Sequence, residues 1–205
     1  MVVISHRGFW KTEYEKNTKE AFEDSIKQGF GVETDVRDCK GELVISHDMP
    51  LGGEMSLHQF ASIFSDSNLL VALNIKSDGV SELLQKEMQI HSGIKWFVFD
   101  MSIPDMKSHL DCGNPTFTRM SDVESCPIWL DSSQGVWLDS FKEEWYDLAL
   151  IRGLLKKEKQ VCIVSSELHG RNYADLWKML LPLREEKGLI LCTDYPIKAR
   201  EYFNN

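Results

Sequence analysis

Two histidines in the first 50 residues stand where a short apolar run gives way to polar residues. His6 follows the run at 2–5, and His47 follows the run at 43–46. A lone histidine at the end of a strand is more often a packed or surface residue than a catalyst, but here the pattern occurs twice. Because imidazole titrates near neutral pH, two of them on either side of a reacting group can act as general base and general acid. The pair therefore favours a proton-transfer reaction.

Two carboxylates, Glu33 and Asp35, are separated by one residue in a second apolar run. On a strand this spacing points both side chains to the same side. A solvent-facing pair is the ordinary reading, but the apolar flanks place the pair toward an interior, where uncompensated charge is expensive. Mg²⁺ and Ca²⁺ prefer oxygen ligands of this kind, so the spacing favours a divalent cation site.

Two cations complete the set of polar residues at predicted strand ends. Arg7 can fork onto phosphate oxygens, and Lys76 offers a second point charge, although a solvated strand-end lysine is an equally good reading of it. The net charge of -9 argues against nucleic acid as a partner. A phosphorylated small molecule would have to be attracted locally, by a metal ion or by a few cations. The remaining histidines receive no role, since they have no partners at useful spacing: His58, His91, His109 and His169.

The elements that must position these residues alternate along the chain. Short β-branched runs predict strands, which lie at 2–5, 32–36, 43–46, 70–75, 95–99, 115–118, 135–138, 160–164 and 189–192. Segments of helical period lie at 18–28, 57–64, 80–90, 104–110, 145–156 and 173–183. Asn17 is the predicted cap of the first helix, with Glu20 in the capping-box position, and Pro182 is expected to end or kink the last.

This alternation predicts an α/β fold, a compact (β/α)8 TIM barrel forming a single domain over residues 1–205. Lys40-Gly41 predicts a small hairpin after the second strand. Residues 128–130 compete for a strand role in the weakest stretch of the pattern. A doubly wound open sheet is the alternative that periodicity leaves open.

Composition indicates where such a protein would work. No apolar run approaches the ~20 residues that span a bilayer, and the N-terminus lacks the features of a secretory signal. The five cysteines are widely spaced and form no C-x-x-C pair. We therefore expect reduced thiols and a cytoplasmic protein without a transmembrane segment.

The ordered motifs resemble a known family. The chain reads I-S-H-R-G at 4–8, G-V-E-T-D-V at 31–36 and V-I-S-H-D at 44–48, with N-T at 17–18 and A-F at 21–22. This order resembles the glycerophosphodiester phosphodiesterases, TIM barrels of the phospholipase-C-like phosphodiesterase superfamily. The run L-N-I-K at 73–76 looks like a version of that family's E-x-K element, and C-T-D-Y-P at 192–196 is similar to its T-D-x-P signature.

The resemblance implies a hydrolase of lipid metabolism that cleaves a small phosphodiester. It makes His6 and His47 the general acid and base. It implies a divalent cation, Mg²⁺ or Ca²⁺, on three ligands: Glu33, Asp35 and Asn74. It implies three residues that bind the substrate and its phosphate: Arg7, Lys76 and Asp194.

Three departures from the family pattern bear on the substrate. Asn74 stands where the family has a glutamate, E-K-N-T at 15–18 replaces P-E-N-T, and the stretch from Asp48 to Leu57 is too short for a large inserted lid. Glu15 is a possible substitute for the acid of P-E-N-T. Two other functions therefore stay open: a non-catalytic barrel that binds a sugar phosphate or phosphodiester, and a phosphoryl transferase acting on glycans. The sequence sets no oligomeric state.

Overall fold

The computed structural model describes residues 1–204 as an alternation of strands and helices. The strands are β1 (Val2–His6), β2 (Gly31–Cys39), β3 (Glu42–Ile45), β4 (Leu70–Ile75), β5 (Lys95–Phe99), β6 (Phe117–Met120), β7 (Gly135–Leu138), β8 (Gln160–Val164) and β9 (Leu189–Thr193). The α-helices are α1 (Lys19–Gln28), α2 (Leu57–Phe64), α3 (Ser81–Ile90), α4 (Ile103–Asp111), α5 (Leu148–Lys156), α6 (Ala174–Leu180) and α7 (Pro196–Asn204). Three 3₁₀ turns lie at Glu13–Glu15, Ser166–His169 and Leu181–Leu183.

The strand order confirms the predicted fold class. It runs β5-β4-β2-β1-β9-β8-β7-β6, and β3 pairs with β2 off this path. With β3 set aside, strands that follow each other in the chain are neighbours along this path, as in a (β/α)8 fold. β5 and β6 stand at its two ends, where a parallel bridge joins Val98 to Thr116. A doubly wound sheet would reverse its order at a switch point, and this sheet has no reversal among the described residues. The hairpin after β2 is present, with β3 antiparallel to it.

Several element boundaries differ from those expected. Thr18, not Asn17, caps α1, because its hydroxyl accepts the Ala21 N–H at 3.3 Å. Residues 128–130 form a turn in which Trp129 has φ 57°, so the competing strand there was wrong. Pro182 does end its helix, since α6 stops at Leu180 and a 3₁₀ turn follows.

The structured chain forms two compact units, each with its own apolar core. The first comprises Ser5–Thr116, and its core includes the packed rings of Phe22, Phe60 and Phe64. The second comprises Met1–Ile4 and the chain from Phe117 onward, with a core on α5, α6 and α7. Within residues 1–204, no helix has both the length and the apolar character needed to cross a bilayer.

Candidate active site

The end of β1 is fixed by a sharp backbone turn. Arg7 and Gly8 both have positive φ, 58° and 93°, and the Arg7 N–H donates to the Glu33 carbonyl at 2.8 Å. A Cβ on Gly8 would lie 2.7 Å from the Ala21 Cβ and 3.0 Å from the Ala21 backbone, so only glycine fits against α1. This close approach holds His6 and Arg7 beside β2.

The predicted carboxylate pair is buried, and cations surround it. Glu33 and Asp35 on β2 are 2% and 0% exposed, which excludes the solvent-facing reading. The Nε of Arg7 lies 2.9 Å from Oδ2 of Asp35, and the Nζ of Lys76 lies 3.4 Å from Oδ1. The Nε2 of His6 lies 3.8 Å from Oε2 of Glu33. Five of the eight predicted site residues therefore form one connected cluster in the Ser5–Thr116 unit.

Asn74 joins this cluster through the sheet register. It stands opposite Asp35 in the parallel β2–β4 pair and is 8% exposed. Three buried oxygens lack a hydrogen-bond partner: Oε2 of Glu33, Oδ1 of Asp35 and Oδ1 of Asn74. Buried polar atoms are costly unless paired, and oxygens of this type are the ligands of hard divalent cations. Each of the three residues expected to hold a metal thus has a buried oxygen without a hydrogen bond, although Lys76 and His6 lie near two of these oxygens.

Within the cluster, the pKa of Glu33 is clearly raised. Burial raises its pKa to about 7, and repulsion from Asp35 adds to the increase. The charges of His6, Arg7 and Lys76 oppose it. Without a further cation, the proton on Glu33 therefore titrates near neutral pH, and a bound cation would favour the ionised form.

Asn17 orients one carboxylate of the pair, a role that the sequence did not reveal. Its Nδ2 donates to Oδ2 of Asp35 at 2.9 Å, and its Oδ1 accepts from the Thr34 hydroxyl at 2.9 Å. The backbone of Asn17 has φ 59°, and its N–H donates to the Arg7 carbonyl. Asparagine tolerates this left-handed conformation, which turns its side chain toward β2 and leaves the helix cap to Thr18.

The Glu15 carboxylate forms its hydrogen bonds within its own loop and not to the carboxylate pair. That group accepts from the Lys11 N–H at 2.8 Å and from the Thr12 hydroxyl at 3.2 Å. The first of these hydrogen bonds is the main reason that the pKa of Glu15 is lowered. Its contacts close a local turn before α1.

His47 is connected to the carboxylate pair through the main chain. The Ser46 N–H donates to the Asp35 carbonyl at 3.0 Å, and the His47 carbonyl accepts from the Arg37 Nε at 3.0 Å. The His47 side chain is 47% exposed, and its Nδ1 lies 2.8 Å from Oδ1 of Asp48. An ionised Asp48 can only accept, so this contact fixes the proton on Nδ1 and leaves Nε2 for chemistry.

Asp194 lies in the other compact unit, directly after β9. Its backbone N–H donates to Oε1 of Glu167 at 3.1 Å, and the Thr193 hydroxyl donates to the same oxygen. These bonds fix the backbone at the start of α7. The substrate contact expected for Asp194 stays a prediction.

All four histidines that received no role have side-chain partners, so that interpretation was wrong. His109 contacts Asp105 and Asn114, and His169 contacts Asp139.

The other two histidines belong to one cluster. His58 on α2, Glu87 on α3 and His91 directly after α3 bring their side-chain ligand atoms within 4.8 Å of one another. Glu87 and His91 are four residues apart, a spacing that places both side chains on one face of a helix. That spacing was the available signal, but nothing local indicated that His58 would face it from another helix.

Comparisons with known proteins agree with the sequence motifs. No family model and no curated protein matches the sequence. Among solved structures, a Galdieria sulphuraria protein assigned as a glycerophosphodiester phosphodiesterase aligns with TM-score 0.77 at 17% identity, covering 100% of this chain and 98% of its own. The fold is that of the glycerophosphodiester phosphodiesterases.

Two further solved structures share this fold. An Oleispira antarctica phosphodiesterase, solved with the product sn-glycerol-3-phosphate, aligns with TM-score 0.72 at 16% identity, covering 100% of this chain and 97% of its own. A Ca²⁺-dependent phosphatidylinositol-specific phospholipase C from Streptomyces antibioticus aligns with TM-score 0.62 at 10% identity, covering 98% and 95%. The phosphodiesterase fold therefore spans nearly the whole chain.

Proposed function

We propose that the protein is a metal-dependent phosphodiesterase that cleaves a P–O bond of a glycerophosphodiester or a related small phosphodiester. The observation that carries the proposal is the set of three buried oxygens without a hydrogen bond, on Glu33, Asp35 and Asn74, placed beside cationic side chains. The phosphodiesterase fold of the structural neighbours supports the same reaction class. The fold alone would not support a particular reaction, since one fold serves many reactions.

In this proposal, His6 and His47 move the protons. One imidazole takes the proton of the attacking hydroxyl, from water or from the substrate itself, as the new P–O bond forms. The other gives a proton to the leaving alcohol oxygen as the old P–O bond breaks. Hydrogen bonding to Asp48 leaves Nε2 of His47 as its reacting nitrogen, while the Nε2 of His6 stays near Glu33.

In this proposal, the side chains around Asp35 stabilise the negative charge of the phosphate. Arg7 and Lys76 both lie against this carboxylate, which holds their long side chains in place and limits the entropy lost when a phosphate binds. A divalent cation on Glu33, Asp35 and Asn74 would supply Lewis-acid stabilisation of the phosphate charge. Mg²⁺ and Ca²⁺ are the candidates, because all three ligands are oxygens.

The substrate class follows from the loop after His47. Residues 49–54 form a short loop that is closed on itself, since the Glu54 carboxylate accepts from the Leu51 and Gly52 N–H groups. A loop of this size is not a large lid, so we infer a small substrate with an open leaving-group side. The glycerol-3-phosphate complex of the Oleispira antarctica neighbour is consistent with this choice.

A non-catalytic phosphodiester-binding protein is the second candidate. Asn74 favours it, because replacing a carboxylate by an amide removes one negative charge from the ion's ligands. This candidate predicts ligand binding without added metal and no cleavage of any diester.

The test is cleavage of glycerophosphocholine and bis-p-nitrophenyl phosphate with Mg²⁺, with Ca²⁺ and with EDTA. We expect metal-dependent turnover that His6→Ala and His47→Ala each reduce by about 100-fold or more. Glu82→Ala is the control, since this side chain is 80% exposed on α3. Full activity in both histidine variants would contradict the acid–base assignment, and turnover unaffected by EDTA would contradict the metal. Circular dichroism verifies that each variant is folded.

A further inference from the structure

The His58, Glu87 and His91 side chains form a second cluster, separate from the proposed active site. The Nδ1 of His58 lies 2.7 Å from Oε1 of Glu87 and 3.3 Å from the Nε2 of His91. The Nε2 of His91 lies 3.6 Å from the same Glu87 oxygen. Two imidazole nitrogens and one carboxylate oxygen therefore face a common point between α2 and the end of α3.

A hydrogen bond behind His91 fixes which of its nitrogens faces the cluster with a lone pair. The Ser65 hydroxyl donates its one proton to the Ala61 carbonyl at 3.0 Å. It must therefore accept from the His91 Nδ1–H, which lies 2.9 Å away. The neutral ring then carries its lone pair on Nε2. Metal-binding histidines commonly have such a bond from the far ring nitrogen, which sets both tautomer and orientation.

The separations within the cluster suit a tetrahedral ion. For bonds of about 2.0–2.1 Å, neighbouring ligand atoms of a tetrahedral site lie roughly 3.3 Å apart. The two separations that involve His91 are close to this value. The separation between His58 and Glu87 is that of a hydrogen bond and needs to widen by about half an ångström. The His58 side chain is 57% exposed and can move, whereas His91 is 8% exposed and anchors the site.

A surface depression beside the cluster leaves room for a fourth ligand. Its volume is about 250 Å³, and His58, Glu87 and Glu42 are among its lining residues. A water molecule or a small anion can reach an ion from this side. The arrangement is thus three protein ligands with one open position.

We propose that His58, Glu87 and His91 form a binding site for a Zn²⁺-class transition metal. Imidazole nitrogens favour Zn²⁺, Ni²⁺ or Co²⁺, whereas Mg²⁺ and Ca²⁺ prefer ligand sets made of oxygens. The bound ion would join α2 to the end of α3 and so stabilise the folded chain. The proposal uses none of the residues of the proposed active site and does not depend on that function.

The test is Zn²⁺ binding measured by competition with a chromogenic chelator in excess Mg²⁺, which occupies the oxygen-ligand site. We expect one Zn²⁺ per chain, with affinity reduced at least tenfold in His58→Ala, in His91→Ala and in Glu87→Gln. Ser65→Ala should weaken binding by about tenfold through the loss of the bond behind His91. Glu82→Gln removes the same charge from the exposed side of the same helix and should bind as the wild type does.

Bound Co²⁺ provides a second readout, since a four-coordinate ion gives a strong visible absorption that His58→Ala should abolish. Zn²⁺ should also raise the melting temperature of the wild type but not that of His58→Ala. Because His58 is exposed, its replacement leaves the core intact, and circular dichroism verifies this. Unchanged Zn²⁺ affinity in both histidine variants, or no Zn²⁺ binding by the wild type, would overturn the proposal.

Discussion

Replacing Glu33 by glutamine isolates the energetic cost of its buried charge. Glu33 is 2% exposed, and burial raises its pKa from an ordinary value of 4.5 to about 7. A higher pKa in the folded state means that folding takes up a proton between these two pH values. The stability of the metal-free protein therefore falls as the pH rises through this window. Glu33→Gln keeps the shape of the side chain and removes the titration.

The distance between the two pKa values sets the size of the effect. It corresponds to a loss of roughly 3 kcal/mol in the free energy of unfolding. This loss is absent at pH 4 and complete above pH 8. Repulsion from Asp35 enlarges this difference, whereas the charges of His6, Arg7 and Lys76 reduce it. Relative to the wild type, Glu33→Gln should gain about 3 kcal/mol between pH 4 and pH 8.5.

Urea unfolding in EDTA at several pH values between 4 and 8.5 measures this difference. Glu82→Gln, on the exposed face of α3, is the matched control and should follow the wild type at every pH. Adding Mg²⁺ at pH 8 should then stabilise the wild type and have little effect on Glu33→Gln. A Glu33→Gln difference that stays constant across the pH range would refute the argument, because it would mean that the buried carboxylate carries no charge penalty.

Two further substitutions test the site and the turn that holds it. Asn74→Asp supplies a third carboxylate and should tighten Mg²⁺ binding by about tenfold in calorimetry. The control is Gln89→Glu, which adds the same charge at an exposed position and should leave the affinity unchanged. Equal Mg²⁺ affinities in the two variants would contradict the assignment of Asn74 as a ligand. Gly8→Ala forces a Cβ to within 2.7 Å of Ala21 at φ 93° and should cost about 1–3 kcal/mol in urea unfolding. The control is Gly153→Ala on α5, where a Cβ meets no atom within 4 Å and should instead stabilise the protein by about 0.5–1 kcal/mol. Similar changes in stability at both glycines would contradict the packing argument.

The sequence predicted most of the strands and helices because their signals are local. β4, β5, β7, β8 and α2 have the predicted bounds, since each is an apolar run or an amphipathic segment between clear breakers. The strand that residues 128–130 offered as a competing possibility is absent, because three apolar residues in a row also fit an exposed turn, in which Ile128 and Trp129 are 42% and 41% exposed. α7 was missed, because its one strong start signal, Pro196, was read as part of a motif.

The site was predictable where chemistry and spacing coincide, and not where the fold alone creates the contact. Glu33 and Asp35 share one strand, so their common orientation follows from the sequence. The bond from Asn17 to Asp35 depends on a left-handed backbone, which a capping pattern does not reveal. His58 and His91 are 33 residues apart, and only the packing of two helices brings them together.

The β2–β3 hairpin also determines where the chain can change in length. Its register pairs Val36 with Ile45, and the next bond joins Ser46 to Asp35, one residue before His47. Inserting or deleting one residue at the Lys40-Gly41 turn would shift that register, turn the side chains of β3 to the opposite face and displace His47 relative to Asp35. The loop at 49–54 lies outside the register, so residues can be gained there without moving the hairpin. In evolutionary terms, we expect relatives of this chain to keep the length of residues 35–47 constant and to vary in the loop that follows.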